Sequence, residues 1–196
     1  MGSYTYHNNP DLKPETTWTY EAGVDQYMFG RKMKLSATCF YTCAKDLIGS
    51  YKVGYDSYKE NVGEADIRGV ELEASAKPFD WLNVWANYTY TNSEVKKNDR
   101  DPSTVGKHLT NYPEQTVNTG CDLIYKWLKA SLVGNYRGRI YTSEQNDDKD
   151  DVYGAYSKCW LWDAKLTYSP VKYMECSLSV DNIFDEEYFA SDVGRE

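Results

Sequence analysis

The side chains able to do chemistry in this chain of 196 residues are few and scattered. His7 and His108 are its two histidines, and they fall in separate polar stretches. Imidazole ligates metals, but two histidines on different loops do not make a site by themselves. Tyr51, Tyr55 and Tyr58 crowd one short stretch, where their ring faces offer a stacking surface for a ligand. The run Asn146-Asp147-Asp148-Lys149-Asp150-Asp151 offers carboxylates to a hard cation such as Ca²⁺. It lacks the spacing and the glycine of a calcium loop, so a solvated acidic loop is the simpler reading. The five cysteines are an odd number, so at least one is unpaired within the chain. Cys39 and Cys43 stand about 13 Å apart along one strand, too far to bridge. Cys159 and Cys176 are out of register across a hairpin, and no C-x-x-C pair suggests zinc. The thiols therefore read as small apolar side chains. No Ser/His/Asp set and no glycine-rich phosphate loop appears. No enzyme, metal or cofactor is expected.

The elements that must carry these residues show best between Asn61 and Pro78. Val70, Leu72, Ala74 and Ala76 alternate there with Glu71, Glu73, Ser75 and Lys77. A period of two is a strand with one apolar and one charged face. The same division recurs along the chain and predicts strands at about 16–28, 33–48, 61–77, 82–95, 115–125, 129–142, 156–168 and 173–183. A leading loop, 1–15, holds Asn8-Asn9-Pro10-Asp11 and Pro14, and a tail covers 184–196. The connections alternate, long then short, which sends the long loops to one end. The long ones are expected around 4–15, 49–60, 96–114 and 143–155.

Composition narrows the class. Nineteen tyrosines and six tryptophans accompany a mean hydropathy of −0.73, too polar to fill an ordinary core. Disorder is the first alternative, and the alternating strands and aromatics argue against it. One dry and one wet face, repeated eight times, is the pattern of a transmembrane β-barrel wall. A soluble sandwich would need two apolar inner faces. Strands of roughly 11–16 residues are long enough to cross a bilayer when tilted. No run of 18 apolar residues is present, which excludes a membrane helix and says nothing against a barrel. A net charge of −8 makes nucleic acid an unsuitable partner. No signal peptide follows Met1-Gly2-Ser3, which reads as an expression start. Trp18, Trp81, Trp127 and Trp160 fit an aromatic belt at the bilayer interfaces. Glu71, Glu73, Asp122, Arg137, Asp163 and Lys165 are expected to line the lumen and pair across strands. Glu64, Asp66 and Arg68 share the parity of Val70 and are expected above the bilayer.

Three segments resemble a known family. Asn9-Pro10-Asp11-Leu12-Lys13-Pro14-Glu15 with Trp18-Thr19-Tyr20-Glu21-Ala22-Gly23-Val24 is one. Asn61-Val62-Gly63-Glu64-Ala65 with Arg68-Gly69-Val70-Glu71-Leu72-Glu73 is the second. Asp181-Asn182-Ile183-Phe184-Asp185-Glu186-Glu187-Tyr188 is the third. In that order they resemble TonB-dependent outer-membrane receptors, over the C-terminal third or so of the barrel. The plug domain and the last strand of such receptors are not in the sequence.

The resemblance implies an antiparallel transmembrane barrel in the bacterial outer membrane, part of a receptor importing a scarce nutrient, iron–siderophore by family frequency. It implies as partners the lipid bilayer (or detergent), the remaining barrel and plug, and TonB through the plug alone. Transport by this chain alone is not expected. A fragment closing on itself as eight strands is the other architecture open to it. Some haem receptors place a histidine before a similar motif, which makes His7 a candidate haem ligand. Tyr51, Tyr55, Tyr58 and His7 are the candidate ligand-binding residues. The competing function class is a soluble all-β module whose aromatic loops hold a ligand or carbohydrate.

Overall fold

In the computed structural model, which describes residues 5–147 and 158–188, the alternating segments join into one antiparallel meander. Its strands are β1 (Thr5–Tyr6), β2 (Thr16–Met28), β3 (Met33–Val53), β4 (Asp56–Phe79), β5 (Leu82–Asn98), β6 (Gln115–Tyr125), β7 (Leu128–Arg137), β8 (Cys159–Val171) and β9 (Met174–Val180). A single 3₁₀ turn, Pro102–Thr104, interrupts the β5–β6 connection. From β2 to β9 every strand pairs with its sequence neighbour, and β1 adds to β4 in parallel.

The order ends at β2 and β9, which do not pair with each other, so the chain is an open wall. Closure on eight strands, open as an alternative from sequence, is not made. A barrel that narrow must fill its lumen with side chains, and the inner face here carries carboxylates, amides and lysines.

The strand ends differ from the sequence reading where parity breaks. Register shifts between Ala44 and Leu47, and again between Leu47 and Ile48, interrupt the alternation of β3. The stretch 49–60, read as a loop, is instead a continuation of the β3–β4 hairpin, with Gly49 opposite Glu60 and Tyr51 opposite Tyr58. Gly54 turns it at φ 61°, a left-handed conformation that glycine takes freely. The leading segment, read as loop throughout, lends Thr5 and Tyr6 to the sheet. β5 runs on to Asn98, and β7 stops at Arg137, short of the 142 expected. β8 starts at Cys159 and β9 stops at Val180, and residues 156–157 of the expected strand lie outside the described residues.

Register carries each face unbroken across the wall. One row reads Ala37, Leu72, Tyr88, Val117, Tyr136 and Trp160 from β3 to β8. The adjacent row on the other face reads Asp25, Ser36, Glu73, Asn87, Asn118 and Asn135. The large apolar side chains stay open: Leu72 is 47% exposed and Leu178 69%. Gly69, in the second motif, permits a close approach that no other residue allows. A Cβ there would run into the Tyr90 carbonyl and the Phe40 ring. Trp81 and Trp127 sit in the short turns, and Trp18 and Trp160 near the opposite end. The buried side chains, Ser57, Ala65, Thr91, Ser93 and Thr104 among them, gather at the end that bears the long connections.

Candidate functional site

That end, the rim, is assembled from segments far apart in sequence. Asn9 starts it by turning the chain locally: its Oδ1 accepts from the Asp11 amide at 3.0 Å, and Pro10 and Pro14 keep the segment extended beyond helix or ladder. The segment then clasps β4. Asn61 accepts from the Lys13 amide (2.8 Å) and donates to the carbonyls of Lys13 (2.9 Å) and Asp46 (2.6 Å). Glu15 Oε1 accepts from the Ile48 amide freed by the bulge, at 2.8 Å. Asn9 donates to the Lys59 carbonyl, and the amides of Thr5 and His7 bond to Tyr55 and Ser57. The first two sequence motifs thus meet, some fifty residues apart in the chain, through Asn61.

The clasp brings His7 onto the aromatic hairpin. The His7 ring stacks on Tyr58 at 4.6 Å, and Tyr58 stacks on Tyr51 at 5.1 Å. The guanidinium of Arg100, from the β5–β6 connection, lies 3.2 Å from the Tyr51 ring centroid. Each end of this ladder is held by a carboxylate of β4. Glu60 accepts from Arg100 Nη2 at 2.5 Å and from the Tyr51 hydroxyl at 3.1 Å. Asp56 Oδ1 stands 2.8 Å from His7 Nε2. Three of the four candidate residues therefore converge, with the two tyrosine rings sandwiched between His7 and Arg100. Tyr55 lies at the hairpin turn, 67% exposed. Sequence reading missed Arg100, Glu60 and Asp56. Parity marks Glu60 and Asp56 only once the hairpin is known to extend, and nothing local marks Arg100.

The other half of the rim is knit by hydrogen bonds. The His108 amide donates to Asn146 Oδ1 at 2.6 Å, and Asn146 Nδ2 returns to the His108 carbonyl at 3.1 Å. The His108 ring stacks on Tyr141 at 5.6 Å and reaches Glu114 at 3.3 Å. His7 and His108 thus serve different clusters. Of the acidic run, Asn146 holds His108 and Asp147 accepts from Ser143, and 148–151 lie outside the described residues. Among the described residues no group of three His, Cys, Asp or Glu side chains could hold a metal. Two hydrogen bonds from Ser103, hydroxyl and amide, hold the Asp101 carboxyl below its ordinary 3.8 against the opposing effect of burial, with Gln145 adding a third. All five cysteines are free.

On the wall, the charged residues expected in the lumen share the polar face. Lys34 bridges Asp25 (3.5 Å) and Glu73 (3.9 Å), and Lys129 reaches Asp122 at 3.1 Å. Asp122 also accepts from the Ser131 hydroxyl, and Asp163 accepts from the Asn182 amide, so these partners are residues not singled out from sequence for the lumen. Asp66 pairs with Lys96 beside Glu94, on the apolar-face parity but beyond Val70.

A long-stranded meander with one dry face, one wet face and all long connections at one end defines a wall of an outer-membrane barrel receptor. The family described as TonB dependent receptor-like, beta-barrel, matches residues 1–183, and the chain belongs to it. It is similar to the probable TonB-dependent siderophore receptor PiuA of Acinetobacter baumannii, 28% identical across 93% of this chain and 25% of that protein. The iron-regulated outer membrane virulence protein of Vibrio cholerae is also 28% identical, across 98% of this chain and 31% of its own. The fold matches the unliganded ferric citrate transporter FecA with TM-score 0.74 at 22% identity, covering 90% of this chain and 27% of that one. The chain thus spans about a quarter to a third of these relatives. The family is one of transport receptors of the bacterial outer membrane.

Proposed function

We propose that the chain forms one wall of an outer-membrane receptor that takes up iron–siderophore complexes. The apolar face meets lipid, the polar face looks onto the rest of the barrel, its water and a plug domain, and TonB acts through that plug. The rim captures the ligand. In this reading Tyr55 offers the exposed ring, and His7, Tyr51 and Tyr58 are the stacked support behind it. No residue is assigned a catalytic role.

The observation that supports the reading is the unbroken apolar row from Ala37 to Trp160, in which Leu72 and Trp160 are each more than 40% exposed. Uptake of radiolabelled ferric siderophores by cells expressing the full receptor that contains this chain tests the transport claim. Uptake should be energy-dependent and vanish when the receptor is deleted; unchanged iron uptake after deletion would overturn it. The soluble-module alternative predicts a monomer stable in plain buffer, whereas this reading predicts dependence on detergent or lipid.

A further inference from the structure

Residues 98–104 form a knot whose hydrogen bonds close on themselves. Asn98 Oδ1 accepts from the amides of Arg100 and Asp101, both at 3.1 Å, and Asn98 Nδ2 donates to Thr104 Oγ1 at 2.9 Å. Thr104 Oγ1 in turn donates to the Asp101 carbonyl at 2.8 Å. Asp101 Oδ1 accepts from the Ser103 amide and hydroxyl, capping the 3₁₀ turn. Thr104 is 1% exposed, so the knot is anchored in the most enclosed part of the rim.

Two neighbouring side chains leave this knot in different directions. Arg100 reaches the β3–β4 hairpin through Tyr51 and Glu60, and through the ladder it touches the leading segment at His7. Asp101 Oδ2 accepts from Gln145 Nε2 at 2.8 Å, and Gln145 also donates to Ser103 Oγ at 2.7 Å. Gln145 precedes Asn146, which holds His108 on both its amide and its carbonyl. Four rim segments are therefore linked through two adjacent residues of one turn, in addition to the direct clasp of the leading segment on β4.

We propose that Arg100 and Asp101 are positioning residues that make the four rim segments a single ligand-binding surface. The proposal rests on the ligand-capture reading for its purpose, while its geometry stands apart from which ligand is carried. Singly, each contact is an exposed pair of the kind that contributes little. Their effect comes from being fixed to the same knot: loosening one arm frees segments that the other arm touches. Arginine is suited to the first arm because its planar guanidinium stacks on Tyr51 while donating to Glu60, which a lysine ammonium cannot do together.

The test uses the full receptor in detergent, with amide hydrogen exchange as its readout. Arg100→Gln should raise exchange ~5-fold, the scale of a typical coupling, at Thr5 and His7. It should raise exchange similarly across the Asp101 arm at His108 and Asn146. Asp101→Asn should show the reciprocal pattern, and β6–β7 amides should not change. Arg100→Lys should recover part of the protection. Gln145→Ala, which leaves both proposed residues in place, should still raise exchange at His7, and it serves should either first variant fail to fold. Changes confined to the arm that was cut would overturn the proposal. Binding of a ferric catecholate complex, measured alongside, should be weakened by Arg100→Gln. If the unmodified receptor does not bind that probe, capture of catecholates fails while the exchange pattern still decides the coupling.

Discussion

The wall and the rim of this chain are stabilised by different means. In the wall, backbone ladders supply the order, and side chains do little for one another. Leu72, Leu123 and Leu166 stand about half exposed, waiting on surroundings outside the chain. In the rim, side chains supply the order: Asn61, Glu15 and Asn98 bond to backbone groups that no ladder satisfies. In the proposed setting the wall can keep its open surface, with lipid on one side and polar neighbours on the other. The rim folds irregular backbone in on itself, where groups shielded from water must find partners, and its buried side chains such as Ala65 and Thr104 make a small core of their own.

The sharpest way to break this contrast is a charge on the dry face. Leu72→Arg, near the middle of the apolar band, should destabilise the membrane-embedded receptor by ~2–4 kcal/mol. Asn118→Lys, on the wet row, should change stability by about 0.5 kcal/mol or less. Denaturant unfolding in lipid vesicles measures both, and equal effects would remove the distinction between the faces.

Next in size is Gly69→Ala. The added methyl meets the Tyr90 carbonyl and the Phe40 ring, so the β4 backbone must shift, at about 1–3 kcal/mol. The same unfolding midpoint reads it. A neutral result would show that the strands there slide freely.

Asn61→Ala addresses the rim. It strands the amide and carbonyl of Lys13 and the Asp46 carbonyl, which should cost about 1 kcal/mol of local stability. Amide exchange should rise in the leading segment while β6–β7 protection holds. A loss spread evenly over the sheet would mean that wall and rim unfold as one.

The smallest effect is one of pH. Asp101 is held below 3.8 when folded, so its hydrogen bonds stabilise the knot fully above that value. That contribution is lost as the pH falls below 3.8 through the depressed value. Exchange at Ser103 and Gln145 should therefore be flat from neutral pH down to about 5 and rise only in stronger acid, once corrected for intrinsic rates. Asp101→Asn should abolish the rise.

How much was legible in advance follows the same division. The run Val70 to Lys77 declares its two faces residue by residue, because a strand's period is a local property. The family segments were visible too, as strings of residue types. The extension of the β3–β4 hairpin was not, since register shifts near Leu47 scramble parity just where Tyr51 and Tyr58 come to face each other. Tyr51, Tyr58 and His7 were credible as residues with chemistry, but their partner Arg100 is 49 positions beyond Tyr51 in the chain, and no periodicity joins the two.

By itself, then, the sequence determined where most of the strands lie, their apolar and polar faces, and the end that bears the long connections. Each of these depends on neighbours two residues away or on turn chemistry. The open edges, the clasp through Asn61, the ladder from His7 to Arg100 and the knot at 98–104 were decided only by tertiary structure. They depend on which distant segments the sheet register brings side by side. A one-residue shift in that register would move every one of those side chains to another partner or another face.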